Sequence, residues 1–138
     1  MGVTQTAQCV FHCGELESTE HLFFQCPFSA CVWIEVLKLC NIRRPIMPWA
    51  NEVLLMFVHA RDNHFHHRNR KIAFASTVYH VWLERNRRCF TNRFLPPQEI
   101  VHKMRMDVSG KLTTANNAQK GDHHQSLCIN WGIPIVCD

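Results

Sequence analysis

The chain has 138 residues, of which 46% are hydrophobic, and a net charge of +4, which suits one small domain with a thin core. Its longest apolar run, residues 53–58, is far shorter than a bilayer span, and its first dozen residues lack the basic start and apolar block of a secretory signal. We therefore expect an intracellular protein, in the nucleus or the cytoplasm, with no membrane partner.

The first segment, from Cys9 to Cys26, crowds three of the eight cysteines and two histidines into 18 residues. Inside the cell thiols stay reduced, and such clusters more often bind metal than form disulfides. Zinc needs four ligands, which sequences usually supply as two close pairs. Here His21 and Cys26 form one pair, and Cys9 forms the other with either His12 or Cys13. We predict a loop held by one zinc ion.

The spacing does not decide whether His12 or Cys13 is the fourth ligand. His12 gives a Cys-x2-His spacing that is typical of a tight knuckle, whereas Cys13 needs a wider turn that Gly14 would help to relax. The affinity of zinc for thiolate favours Cys13.

Three helices are predicted next. The first spans about 27–40, because its opening proline suits a first helical turn and its apolar residues recur at steps of three and four. Residues 49–60 are short and apolar and are predicted to be helical, with a buried strand as the alternative. The clearest helix spans 69–90, and the histidine-rich stretch 64–67 before it is predicted to be a polar loop.

A last helix is predicted to start at Pro96 and Pro97. Its apolar residues recur every four positions, at Ile100, Met104, Val108 and Leu112. Residues 113–126 lack any large apolar side chain and cannot repay an ordering entropy of about 1–2 kcal/mol per residue, so we predict a disordered linker. The final residues are apolar again, and they either dock on the helices or have no partner.

Together these patterns predict a mainly α fold. A small zinc-stapled knuckle at the N-terminus is followed by about four helices, with a disordered linker near the C-terminus. We expect three units: a zinc-binding knuckle over 1–27, a helical domain packed on it over 28–112, and the linker with the apolar tail over 113–138.

The middle of the chain is the candidate surface for a polyanion. Residues 61–105 carry ten basic and three acidic side chains, a net +7. On the polar face of the predicted helix, Arg70, Arg87 and Arg88 are candidates to contact the phosphates of RNA or single-stranded DNA. Glu84 lies three and four residues before Arg87 and Arg88, so it would neutralise part of this patch.

The string CVFHCGELESTEHLFFQCPFSACVW, from Cys9, resembles the zinc-binding domain downstream of the reverse transcriptase in plant non-LTR (LINE-type) retrotransposons. The pattern of that domain runs Cys-x2-Cys, an acidic stretch, His-Leu-Phe-Phe-x-Cys-Pro and a Trp. Two later strings, IAFASTVYHVWLERNRRCF from Ile72 and PPQEIVHKMRMDVSGKL from Pro96, are similar to the tail of the same family in the same order. The resemblance covers about residues 1–112 and implies a fragment of a longer reading frame.

The resemblance implies a zinc site in which Cys9, His21 and Cys26 match three of the four ligand positions of the family. The second ligand position falls on His12, one residue before Cys13. This register makes Cys9, His12, His21 and Cys26 the predicted metal ligands, with Cys13 competing for the place of His12.

The resemblance also implies a non-enzymatic accessory module with weak, sequence-tolerant binding of RNA or single-stranded DNA. The sequence has no polymerase aspartate cluster and no glycine-rich phosphate loop, so we expect no catalysis and no small-molecule substrate. The alternative is a vestigial or protein-interaction helical domain with a purely structural zinc.

Overall fold

The secondary structure is almost entirely helical. The computed structural model describes residues 8–58, 64–114 and 122–133. The helices are a π-helical turn (His21–Gln25), α1 (Pro27–Leu39), α2 (Trp49–Val58), α3 (Phe65–Phe90), α4 (Pro97–Thr114) and α5 (Asp122–Trp131). Within these ranges the one antiparallel bridge joins Gln8 to Leu16. The predicted mainly α fold is confirmed, and the cysteine and histidine cluster lies near its N-terminus.

Residues with special backbone properties set the ends of α1. Pro27 occupies the first turn, where its missing N–H costs no helical hydrogen bond. At the other end Asn41 adopts a φ of 59°, a left-handed conformation that asparagine tolerates better than most residues. The N–H groups of Cys40, Asn41 and Ile42 return to the last carbonyls of α1, and the chain turns toward α2.

The main core lies between α1, α3 and α4. Its buried side chains include Trp33, Val36 and Leu37 from α1, Phe65, Ala73 and Phe74 from α3, and Ile100, Met104, Val108 and Leu112 from α4. The four-residue period that predicted α4 therefore marks its buried face. Phe24, from the π-helical turn, packs on Trp33 with ring centroids 4.8 Å apart, so the N-terminal segment shares this core.

A buried carboxylate connects α2 to α1. Glu52 is completely buried and accepts a hydrogen bond from the indole N–H of Trp33. Its other oxygen lies 2.6 Å from the guanidinium of Arg44, in the loop between the two helices. A buried charge is costly unless it is paired, and Arg44 provides the partner for the buried carboxylate of Glu52.

α3 begins earlier than the sequence predicts. Its first residue is Phe65 and not Asn69, so the predicted polar loop was wrong for His66 and His67, which lie in the first turn. The physical reason is Phe65, whose side chain is 3% exposed in the main core and anchors that turn.

Helices also extend into both ends of the predicted linker over 113–126. α4 ends at Thr114 and α5 begins at Asp122. The part of the linker between them, residues 115–121, lies outside the described residues.

Among the helices that the structure describes, none has the length and apolar character needed to cross a membrane.

α5 docks on the main core through its apolar residues. The buried side chains are Leu127, Cys128, Trp131 and, just after the helix, Ile133. The side-chain amide of Asn130 donates to the carbonyl of Leu39 at 3.1 Å and to the side chain of Asn41 at 2.9 Å. As far as residue 133, the apolar tail is therefore part of the fold, and residues 134–138 lie outside the described part.

Candidate metal centre

The first half of the site is a tight loop that folds back on itself. The N–H of Cys9 donates to the carbonyl of Glu15 at 2.8 Å, and the N–H of His12 donates to the carbonyl of Cys9 at 3.1 Å. His12 and Gly14 both have positive φ angles, 57° and 91°. Two left-handed residues within three positions reverse the chain and return Cys13 toward Cys9.

The second half of the site is the π-helical turn. The N–H of Cys26 donates to the carbonyl of His21 at 2.7 Å, a bond that spans five residues instead of the usual four. This spacing brings both side chains to one side of the turn. Cys26 is the N-cap residue of α1, and its carbonyl accepts the N–H of Ala30 at 2.7 Å and the hydroxyl of Ser29 at 3.2 Å.

Four donor atoms converge between these two halves. The side-chain donors of Cys9, Cys13, His21 and Cys26 all lie within 4.8 Å of one another. The sulfurs of Cys9 and Cys26 are 3.6 Å apart, and the sulfur of Cys13 is 3.0 Å from Nε2 of His21. A tetrahedral zinc ion with Zn–S bonds of about 2.3 Å places its sulfurs about 3.7 Å apart. The separation of the Cys9 and Cys26 sulfurs is close to this value and far from that of a disulfide, whose sulfurs are about 2.05 Å apart.

The three thiols of the cluster differ in burial and in the direction in which their pKa values shift. Cys9 and Cys26 are almost completely buried, which raises the pKa of Cys9 to about 12 and also raises the pKa of Cys26. Cys13 is more accessible. Burial opposes its ionisation, but hydrogen bonds from the backbone of Glu15 and from the other two thiols outweigh this effect and lower its pKa. Cys13 is therefore the thiol most easily ionised, and it lies beside the imidazole of His21.

The structure places Cys13, not His12, in the cluster. His12 is exposed, and its ring lies edge-on to Phe94 with centroids 6.5 Å apart. The left-handed backbone at His12 explains this outcome, since the turn separates the directions of the two neighbouring side chains. Of the predicted set, Cys9, His21 and Cys26 come together, and the competitor Cys13 completes the group where the family register favoured His12.

The loop of the site is attached to α3 by an ion pair. The guanidinium of Arg85 makes a bidentate contact with Glu17, at 2.6 and 3.0 Å, and both side chains are largely buried. The hydrogen bond with the carboxylate of Glu17 raises the pKa of Arg85 above its ordinary value. No local sequence signal indicates this pair, because its members are 68 positions apart.

A stack of rings makes the second attachment to α3. The rings of Phe11 and Phe28 are stacked with centroids 4.3 Å apart. The guanidinium of Arg88 lies over both, 5.0 Å from Phe11 and 4.4 Å from Phe28, and also 5.0 Å from the ring of Phe94. These cation–π contacts connect the N-terminal loop, α1 and the end of α3.

The three arginines predicted to bind nucleic acid have different surroundings. Arg87 and Arg88 both pair with Glu84, which is completely buried, and Arg88 is only 11% exposed. Glu84 also accepts the N–H of Leu95 at 2.9 Å. The local pairs expected from the spacing therefore form, and they engage both guanidinium groups with the buried carboxylate of Glu84. Arg70 lies near the other end of α3, far along the helix from the pair.

Three thiols and one imidazole form a donor set typical of a closed, structural zinc site. No family model, curated protein or solved structure matches this chain. If these four side chains held one zinc ion, they would fill its tetrahedral coordination sphere and leave no position for a metal-bound water.

Proposed function

We propose that Cys9, Cys13, His21 and Cys26 bind one zinc ion, and that the chain is a non-enzymatic zinc-binding module. The observation that carries the proposal is the convergence of four donor atoms within 4.8 Å, from two turns that the backbone holds in place. Zinc fits the donors because it prefers a tetrahedron of thiolate and imidazole, whereas hard cations prefer oxygen.

The role of the ion in this proposal is to hold the N-terminal loop against the helices. The loop has few apolar side chains of its own, and its ligands reach from the first turn to the start of α1. The pair between Glu17 and Arg85 and the stack on Arg88 then connect the loop to α3. Zinc binding would thus stabilise α1 and α3 as well as the loop.

The sequence resemblance supports a more specific form of the proposal. In LINE-type retrotransposons of plants such a domain accompanies a reverse transcriptase, and we propose that this chain derives from such a polyprotein. Three separate strings carry the likeness in the same order along the chain. The second ligand lies at Cys13, one residue after the position that the family register gives it. The site still has a thiol as its second donor.

Zinc removal tests the structural role. Chelation of zinc from the purified chain should lower its melting temperature and its helical circular dichroism signal, and added zinc should restore both. Binding to a structural site contributes about 10–16 kcal/mol in small zinc modules, so the change should be large. The exposed Cys31 offers a matched control, since Cys31→Ser removes a thiol outside the cluster. A chain that keeps its structure and stability after complete metal removal would overturn this role.

Weak, sequence-tolerant binding of RNA or single-stranded DNA is the second part of the proposal. It is supported by the net +7 over residues 61–105 and by Arg70, which has no acidic partner among the described residues. Arg87 and Arg88 support it less, because each is already paired with Glu84. Affinity for a labelled oligonucleotide should fall steeply as salt rises, because bound phosphates release counterions.

A protein-interaction domain is the alternative function. Phe90 and Phe94, which are 83% and 56% exposed, favour it, because large exposed aromatic side chains often mark protein contacts. An oligonucleotide affinity that does not change with salt, or that is absent at low salt, would favour this alternative.

A further inference from the structure

The loop that joins α1 to α2 borders a basic cavity. Residues 41–44 line it on one side, with Leu55 and Met56 of α2 and Arg70 of α3 on the other, and its volume is about 330 Å³. A second cavity of about 560 Å³ lies along the same loop and reaches α1 at Lys38. The side chains that line the first cavity are up to 29 positions apart in the sequence, and the fold brings three arginines to it.

Among the described residues, the arginines of this cavity outnumber their acidic partners. Arg44 is paired with the buried Glu52, which leaves Arg43 and Arg70. Arg43 is exposed, and Nε of Arg70 is buried with no hydrogen-bond partner in the described part of the chain. A buried donor on a charged group costs free energy until an acceptor reaches it.

The nearby helix end does not supply that acceptor. The last carbonyls of α1, from residues 36–38, accept the N–H groups of Cys40, Asn41 and Ile42. The side chain of Asn41 is bonded to Ser126 and Asn130 of α5. These groups of residues 36–42 therefore already have partners, and the two guanidinium groups remain to bind an anion.

We propose that the cavity binds a phosphate group between Arg43 and Arg70. Guanidinium groups form paired, charge-assisted hydrogen bonds with phosphate oxygens, and both arginines line the cavity together with Leu55 and Met56. This inference deepens the nucleic-acid binding proposed above and rests on it for the source of the phosphate, which is either the backbone of a single strand or free phosphate.

The test measures phosphate binding to the zinc-loaded full chain by calorimetry. Arg43→Gln and Arg70→Gln should each weaken binding of inorganic phosphate about tenfold, the usual effect of losing one charge-assisted contact. Arg93→Gln, an exposed arginine outside the cavity, should bind as the wild type does. Arg43 is exposed, so its variant keeps the fold even if the Arg70 variant does not. No phosphate binding by the wild type, or equal binding by all variants, would overturn the site.

Competition identifies the source of the phosphate. If a single strand occupies the cavity, inorganic phosphate displaces a labelled oligonucleotide and Arg43→Gln weakens both ligands. If the source is free phosphate, phosphate binds and Arg43→Gln weakens it, while the oligonucleotide neither competes nor responds to the variant. The second result keeps the phosphate site and refutes nucleic-acid binding there, so the two failures are distinguishable.

Discussion

Cys40 is a buried thiol whose raised pKa should make the free energy of unfolding depend on pH. Its side chain is 2% exposed at the end of α1, and burial raises its pKa to about 12 against the opposing charge of Arg70. An unfolded cysteine titrates near 8.5, so between these values the folded state keeps a proton that the unfolded state loses. The stabilisation is complete below about pH 8.5 and is lost as pH rises toward 12.

The first prediction is that Cys40→Val makes stability less dependent on alkaline pH. The free energy of unfolding of the wild type should fall above about pH 8.5, and Cys40 contributes up to about 1.4 kcal/mol per pH unit of that fall. Urea unfolding from pH 8 to 10.5 measures the slope. Cys31→Val, at an exposed position, controls for the loss of a thiol. Equal slopes in the wild type and Cys40→Val would contradict the assignment.

Glu17 and Arg85 are two residues whose ion pair attaches the N-terminal loop to α3. Glu17→Gln removes one charge from a pair that is largely buried, so the protein should lose about 2 kcal/mol of stability and release zinc to a chelator faster. Thermal melting and the rate of zinc transfer measure the two effects.

The exposed pair of Glu35 and Lys38 provides the control for that substitution. Its side chains are 51% and 67% exposed, and such pairs contribute little, so Glu35→Gln should leave both measurements nearly unchanged. If the two glutamate variants behave alike, the pair with Arg85 does not hold the loop.

Among the helices, α5 is the element whose contribution is easiest to isolate. Trp131 is 1% exposed in the main core, whereas Ile129, two positions earlier, is 67% exposed. Trp131→Ala should cost about 3–5 kcal/mol, because it removes a large buried side chain and leaves a cavity. Ile129→Ala should change stability by less than about 0.5 kcal/mol. Denaturant unfolding measures both, and a small loss for Trp131→Ala would show that α5 is not docked.

Local patterns predicted the helices where one face packs on the core over several turns. In α4, the residues Ile100, Met104, Val108 and Leu112 repeat every four positions and all are buried. The start of α3 was not predictable in this way, because Phe65 follows a run of polar residues and only its tertiary contacts show its role.

The sequence predicted three of the four residues of the candidate site. Cys9, His21 and Cys26 follow from spacing and from the family pattern. The choice of Cys13 over His12 depends on the left-handed backbone at His12, which no residue type in that turn dictates. The pairing of Glu17 with Arg85 depends on the whole fold, since the two lie far apart in sequence.

In the whole molecule, the proposed zinc ligands connect the N-terminal loop to the start of α1, and Arg85 and Arg88 attach the same loop to α3. The most direct measurement is the zinc content per chain of purified His12→Ala and Cys13→Ala. We expect one zinc per chain in the wild type and in His12→Ala, and loss of zinc with a lower melting temperature in Cys13→Ala. Retention of zinc in Cys13→Ala with loss in His12→Ala would contradict the assignment, and a wild-type chain without zinc would contradict the site itself.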